Sequence, residues 1–380
     1  MDKMKDIFKL FTASILSKIM YLVFAAVLLN NLSIISLSGY KELIDRNDAG
    51  WYRQIAENGY PRTTDEKEIG YHENSCYIQS AWAFFPLYPM MNKMLMTICN
   101  IRFEDSAFIL SIIFSFLSLF GFYQICKIYV SDKKKAFYIS LVFLLFPFHY
   151  YFSMMYTEAV FFTFLIYTFL ALYYRKYWTV SILLIPLVLV RSNGIIMFIP
   201  LYLFFLESEG ILSKKHLDIK AVFKREIMLK SLMFSTAPLT FLLYCLYQKQ
   251  ITTHFFAFSI AQAGWGREFM FPFMALFRQG SLQVQFNSFY VIIVMLYAVF
   301  IWKRNTWSWN LLIWLSLLFP LCAGSVMSMT RFISVIFPLM LPLGIWFYSK
   351  KYINYLFLGL LAILQLMSFY FWIIWHPFSY

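Results

Sequence analysis

Charge is scarce in this chain of 380 residues. Asp, Glu, Lys and Arg make up 13%, against 61% hydrophobic and 22% aromatic residues, a balance that excludes a water-soluble domain of this size. Cysteine is sparse as well. Cys76, Cys99, Cys126, Cys245 and Cys322 show no paired spacing and four of them lie in apolar stretches, so neither a disulfide framework nor a zinc site is implied and they read as packing residues. The chain has no HExxH, no Gly-rich dinucleotide loop, no P-loop and no GxSxG, so no nucleotide or nicotinamide cofactor is indicated. No Gly/Ser or Pro-rich linker, fixed-period repeat or soluble tail divides the sequence, which leaves one membrane domain, 1–380, as the expectation.

What fills the chain is apolar segments of spanning or near-spanning length, at about 7–30, 106–126, 136–152, 156–174, 177–191, 194–206, 229–248, 289–302, 306–325, 331–348 and 353–375. The fold class read from them is an all-α polytopic membrane protein with about 11 transmembrane helices. A twelfth apolar stretch, 80–100, starts with Pro86 and Pro89 and carries Lys93 in its middle, which makes it a poor spanning helix. It reads as a re-entrant or interfacial helix in a first outer loop, 31–105; a second long outer loop covers 249–288. The basic start (Lys3, Lys5, Lys9) runs into the first apolar span without a small-residue cleavage site and reads as a retained signal anchor.

The net charge of +13 is spread as short clusters between spans, which is a topology signal and not a nucleic-acid stripe. If 80–100 does not span, the N-terminus and the clusters Lys133 to Lys135, Lys214 to Lys230, Lys303-Arg304 and Lys350-Lys351 all fall in the cytoplasm. Cytoplasmic segments then hold 19 Lys/Arg against 7 Asp/Glu, and outer segments hold 12 against 12. Lys18, inside the first span, is expected to snorkel to the cytoplasmic side.

The same topology sends Asp48, Glu158, Arg191, Arg267 and Arg331 to one outer face. Ionisable groups at membrane depth are costly unless they pair or line a wet cavity, so this convergence is the main functional clue. Each residue also has a plainer reading. Asp48 precedes a short amphipathic stretch with Trp51, Tyr52 and Ile55 available to the interface, and fits an N-cap. Glu158 fits a helix start next to Thr157. Arg191 and Arg331 fit either interface anchors or a phosphate-binding pair, for which the planar guanidinium fork is suited; Arg267 is a third candidate. Asp45, three residues before Asp48, is a reserve base if that turn is helical. His149 and His254 read as packing or interfacial residues.

Taken in order, Asn47 to Tyr52 with Ile55 to Pro61, Ala83-Phe84-Phe85-Pro86-Leu87-Tyr88-Pro89, Tyr156-Thr157-Glu158, Val190 to Gly194 and Thr330-Arg331-Phe332 resemble the PIG-V family of mannosyltransferases, within the GT-C superfamily of polytopic glycosyltransferases. The resemblance runs from about residue 5 to 350. It implies inverting transfer of a hexose, typically mannose, from a polyprenyl-phosphate donor at the outer membrane face, with Asp48 as the presumed base and outer-loop helices parallel to the membrane. Two departures touch the acceptor pocket: Asn47 stands where the family usually has Trp, and Ser192-Asn193 follows Arg191 where a Pro-containing step is common.

The chemistry asks for little. A polyprenyl phosphate delivers an activated sugar inside the bilayer, so the enzyme needs a base, cations for the departing phosphate and a cleft that excludes water. Asp48 is the base in this reading, Arg191 and Arg331 hold phosphate, and Glu158 orients sugar hydroxyls or serves as a second carboxylate. Trp51, Tyr52, Tyr60, Trp82, Tyr88, Tyr156 and Trp265 are candidate sugar-stacking surface. No cofactor is required; a divalent metal shared by Asp48 and Glu158 is the alternative. The expected partners are the donor lipid, a lipid or glycan acceptor and the bilayer, with no nucleic acid. A prokaryotic plasma membrane is the expected location. The competing classes are a lipid-linked sugar flippase or other transporter, disfavoured by charges gathered at one face and the lack of repeated halves, and a structural membrane subunit.

Overall fold

A computed structural model describes residues 2–73, 76–214 and 216–379. The protein is a multi-pass helical membrane protein. Five helices among the described residues are long and apolar enough to cross a membrane: Met4–Leu28, Phe103–Tyr129, Arg225–Thr252, Leu282–Arg304 and Ile353–Ile373. Five shorter apolar helices, Glu158–Tyr173, Tyr177–Val190, Ser192–Ser208, Trp307–Leu321 and Phe337–Tyr348, pack among them. A small antiparallel hairpin pairs Tyr71–Glu73 with Cys76–Ile78.

The helix Ile353–Ile373 shows how pattern becomes packing. Leu356, Leu360, Ile363 and Met367 form an exposed apolar stripe at helical spacing, while Leu361, Gln365, Phe369 and Trp372 on the other side are buried. An exposed stripe of this kind suits lipid. Buried Gln365 donates to the carbonyls of Leu144 (2.9 Å) and Phe146 (3.0 Å), satisfying backbone acceptors released where the helix Lys133–Leu144 ends. That helix has 12 residues and gives way to a 3-10 turn, His149–Ser153, so the apolar run expected to be one element over 136–152 is broken.

Inside the bundle, Phe103–Tyr129 lies against Glu158–Tyr173. Small Ser118 permits close approach and donates to the Ala159 carbonyl at 2.9 Å. The pair Tyr177–Val190 and Phe198–Ser208 is joined by a tight turn at Ser192–Gly194. A Cβ at Gly194 would fall 2.0 Å from the Leu187 carbonyl oxygen, so only glycine fits this return.

The segments expected to be outer loops, 31–105 and 249–288, differ from expectation in instructive ways. The helix Leu87–Cys99 has 13 residues, about 20 Å at 1.5 Å per residue, too short to cross a ~30 Å core alone. It packs on the helix Asp48–Asn58. The face expected to be available to the interface is instead covered by protein. Tyr52 and Ile55 are buried, and Trp51 stacks on Phe84. Lys18 does not snorkel. It is buried and donates to Ser115 Oγ at 2.8 Å, because the neighbouring helix supplies an acceptor at its own depth. All five cysteines are free, and only Cys126 and Cys245 are buried packing residues.

Between the helices that end at Thr252 and begin at Leu282, the short turns Ala257–Ile260 and Ala261–Trp265 fold back over Glu66–Ile69, the hairpin and Ala81–Ala83. Gly264 makes this contact possible: a Cβ there would sit 2.3 Å from the Ile78 carbonyl oxygen.

Candidate active site

Four separate chain turns meet at one end of the bundle. Asp48 is the first residue of the helix Asp48–Asn58, and Asn47 before it has φ +49°. Asn is among the residues that take positive φ most readily, and this kink aims the start of the helix inward. The turn is held from three sides. Met155 N–H donates to the Ile44 carbonyl at 3.2 Å, Trp372 Nε1 donates to the Leu43 carbonyl at 2.9 Å, and Arg46 Nη1 donates to the Ile373 carbonyl at 3.0 Å. The first bond brings the Asp48 turn beside Tyr156, Thr157 and Glu158. Arg191 enters in an extended conformation after Val190, and Arg331 sits in the short helix Met329–Ser334.

These residues form one ionic network. Arg331 donates from Nη1 to Asp48 Oδ2 and from Nε to Glu158 Oε1, both at 2.6 Å. Arg191 Nη1 donates to the same Glu158 oxygen at 2.8 Å. Both guanidiniums lie over rings, Arg331 at 4.4 Å from the centroid of Tyr156 and Arg191 at 5.0 Å from that of Phe332. Glu158 is 0% exposed and sits behind the arginines, whereas the Asp48 side chain is 24% exposed. An isolated buried carboxylate would be expelled or neutralised; two charge-assisted donors on one oxygen offset its desolvation.

In front of the network lies a cavity of about 540 Å³, within the ~300–1,000 Å³ range of small-molecule sites. Asp48, Arg191, Arg331 and Arg267 line it. Arg267 donates to Gln262 Oε1 at 2.7 Å. Burial pushes its guanidinium down to about 10, Asp48 draws it up, and Arg331 and Arg191 push it down further; it remains charged at neutral pH. Two carboxylates therefore face three guanidiniums, and the excess cation, Arg267, has no carboxylate within 4 Å among the described residues. An anionic ligand would complete the balance. Arg267→Ala is expected to raise the KM for a phosphate-bearing substrate about tenfold or more, the loss of one charge-assisted hydrogen bond, with little change in thermal stability; an unchanged KM would remove Arg267 from the ligand site.

Of the seven aromatic residues proposed as stacking surface, Trp51 and Trp265 stand together on the cavity wall with Phe84 between them, Trp51–Phe84 at 5.9 Å and Phe84–Trp265 at 5.7 Å. Tyr52 and Tyr156 also reach the cavity, whereas Tyr60, Trp82 and Tyr88 do not line it.

Three expectations are corrected by this arrangement. Asp45 is not on the face of Asp48, because the turn between them is not helical. Asp45 has ψ 87° and pairs with Arg53, which also contacts Glu104 at 3.2 Å. Burial raises the Asp45 carboxyl above its usual range, against the pull of Arg53. Glu158 is set behind the cavity and does not line it; its contacts there are with Arg191 and Arg331. Asp48 and Glu158 do not share an open point: Arg331 lies between them, and an ion bridging them would have to take the guanidinium's place. Among the described residues no group of three or more His, Cys, Asp or Glu is arranged to hold a metal ion. Gln262, the partner of Arg267, was not legible in the sequence, since an amide five residues before an arginine is no motif.

No protein-family model matches the chain, and no curated protein sequence matches it significantly.

Proposed function

We propose that the protein is a glycosyltransferase that moves a hexose, mannose on the motif resemblance, from a polyprenyl-phosphate donor to a lipid or glycan acceptor. The observation that carries this reading is the composition of the cavity: a partly exposed carboxylate facing an arginine cluster with one cation in excess, beside a Trp/Phe wall. Asp48 takes the proton of the acceptor hydroxyl. The acceptor oxygen then forms a bond to the anomeric carbon from the face opposite the phosphate. The bond from that carbon to the phosphate oxygen breaks, and polyprenyl phosphate leaves with the electron pair and is held by Arg267, Arg191 and Arg331. Displacement from the opposite face inverts the anomeric configuration. No cofactor enters this scheme.

In the same reading the cavity end faces outward and the N-terminus is cytoplasmic, with eleven crossings in a prokaryotic plasma membrane. Lys133, Lys134 and Lys135, Lys303-Arg304 and Lys350-Lys351 then lie at the cytoplasmic end, in keeping with the positive-inside rule. Cysteines placed at 133 to 135 should be labelled only after permeabilisation; labelling from outside intact cells would overturn the orientation.

The deciding experiment is transfer of radiolabelled hexose from synthetic polyprenyl-phosphate mannose, glucose and galactose into membrane lipids or glycans by the purified, reconstituted protein. Incorporation from one donor identifies the sugar. No incorporation from any donor, with native acceptors present, would favour a lipid-linked sugar flippase.

A further inference from the structure

Each arginine of the cavity is held by a side-chain oxygen, and one of those oxygens carries no charge. Arg331 is held by Asp48 and Glu158, and Arg191 by Glu158. Arg267 is held by the amide of Gln262, its Nη1 donating to Oε1 at 2.7 Å. Both residues of this last pair line the cavity. Glu268, next in the chain, is exposed and does not line it.

The pairing is built into the local backbone. The 3-10 turn Ala261–Trp265 ends at Gly266, whose φ is +63°. Gly266 N–H donates to the Ala263 carbonyl at 2.8 Å and Arg267 N–H to the Gln262 carbonyl at 3.2 Å, the two bonds of a Schellman turn. This closure brings residues 262 and 267 together. Gln262 Nε2 donates to the Phe258 carbonyl at 3.3 Å, which orients the amide: its nitrogen faces the backbone, and its oxygen is left for the guanidinium. A carboxylate at 262 would grip Arg267 more tightly, since a charge-assisted hydrogen bond is roughly twice as strong as a neutral one. It would also set a third carboxylate against the three guanidiniums. The amide orients Arg267 and leaves its charge uncancelled.

We propose that Gln262 is a positioning residue that sets the cavity's selectivity for an anion: it aims Arg267 at the ligand phosphate without neutralising it. The inference rests on the reading of the cavity as the site of the donor phosphate. A donor phosphodiester brings a single negative charge, which matches the excess that the neutral amide preserves. With a carboxylate at 262 the same phosphate would enter a cavity already balanced, beside a like charge.

Calorimetric titration of the purified full chain in detergent with citronellyl phosphate, a short isoprenoid phosphate, tests this without requiring transfer. Gln262→Glu keeps the size of the side chain and an oxygen toward Arg267 but supplies the counter-charge. It should weaken binding about tenfold or more, while the unfolding temperature stays at or above that of wild type. Gln262→Ala keeps the excess charge and loses only the aim, and should weaken binding about threefold, the loss of one neutral hydrogen bond. A merely structural Gln262 would give the reverse order, with the isosteric Glu tolerated and Ala the more damaging. In the transfer assay the Gln262→Glu loss should fall on donor KM more than on kcat. Equal binding by wild type and Gln262→Glu, or a greater loss in Gln262→Ala, would overturn the role of Gln262 and leave the phosphate site standing. No binding by wild type would overturn the phosphate site itself, and the inference with it.

Discussion

Asp48→Asn is expected to lower hexose transfer by about 10²–10⁴-fold, the usual worth of a positioned general base, while the protein still inserts and accumulates at wild-type levels. Two features separate the two effects. The amide keeps the size of the carboxylate and an oxygen that accepts from Arg331, and Arg331 retains Glu158 as its counter-charge at 2.6 Å. The Asp48 side chain is also partly exposed, so little desolvation energy rides on it. What the variant lacks is a site for the acceptor's proton. The measurement is initial transfer rate at saturating donor, alongside the unfolding temperature of the same preparation. Activity near wild type would end the assignment of Asp48 as base. A parallel loss of activity and of folded protein would instead make Asp48 a structural ion-pair partner.

The opposite pattern is expected at Glu158. Glu158→Gln leaves Arg191 buried with no carboxylate within 4 Å among the described residues, and strips Arg331 of one of its two partners. Breaking a buried pair by removing one charge costs about 3–5 kcal/mol, so the variant should accumulate poorly and unfold at a clearly lower temperature in detergent. Glu158→Gln combined with Arg191→Met removes the stranded charge and should recover part of that loss, because residues in one network do not add independently. Full stability in Glu158→Gln would show that the network is not what holds the arginines. Catalytic loss alone, with normal stability, would return Glu158 to direct contact with substrate.

Much of the molecule was legible from local patterns. Long apolar runs fixed the membrane class, since a helix in lipid must satisfy its own backbone and present apolar side chains outward. Pro86, Pro89 and Lys93 marked a stretch unsuited to spanning, and it is the 13-residue helix Leu87–Cys99. Scarce ionisable residues in apolar surroundings pointed to Asp48, Glu158, Arg191, Arg267 and Arg331, because burying charge is too costly to leave unpaired. All five lie in one network or on the cavity beside it.

The sequence by itself determined which residues had to leave lipid and find partners; tertiary structure alone decided which partner each took. The bond between Arg331 and Asp48 joins positions 283 residues apart. It depends on the kink at Asn47, the clamp from Trp372 and Arg46, and the return at Gly194, none of which has a periodic signature. For the same reason Asp45 turned to Arg53, Lys18 found Ser115 instead of an interface, and Glu158 went behind the arginines. Solvent preference is a property of single side chains and short windows, whereas pairing inside a bundle depends on where distant turns place the backbone.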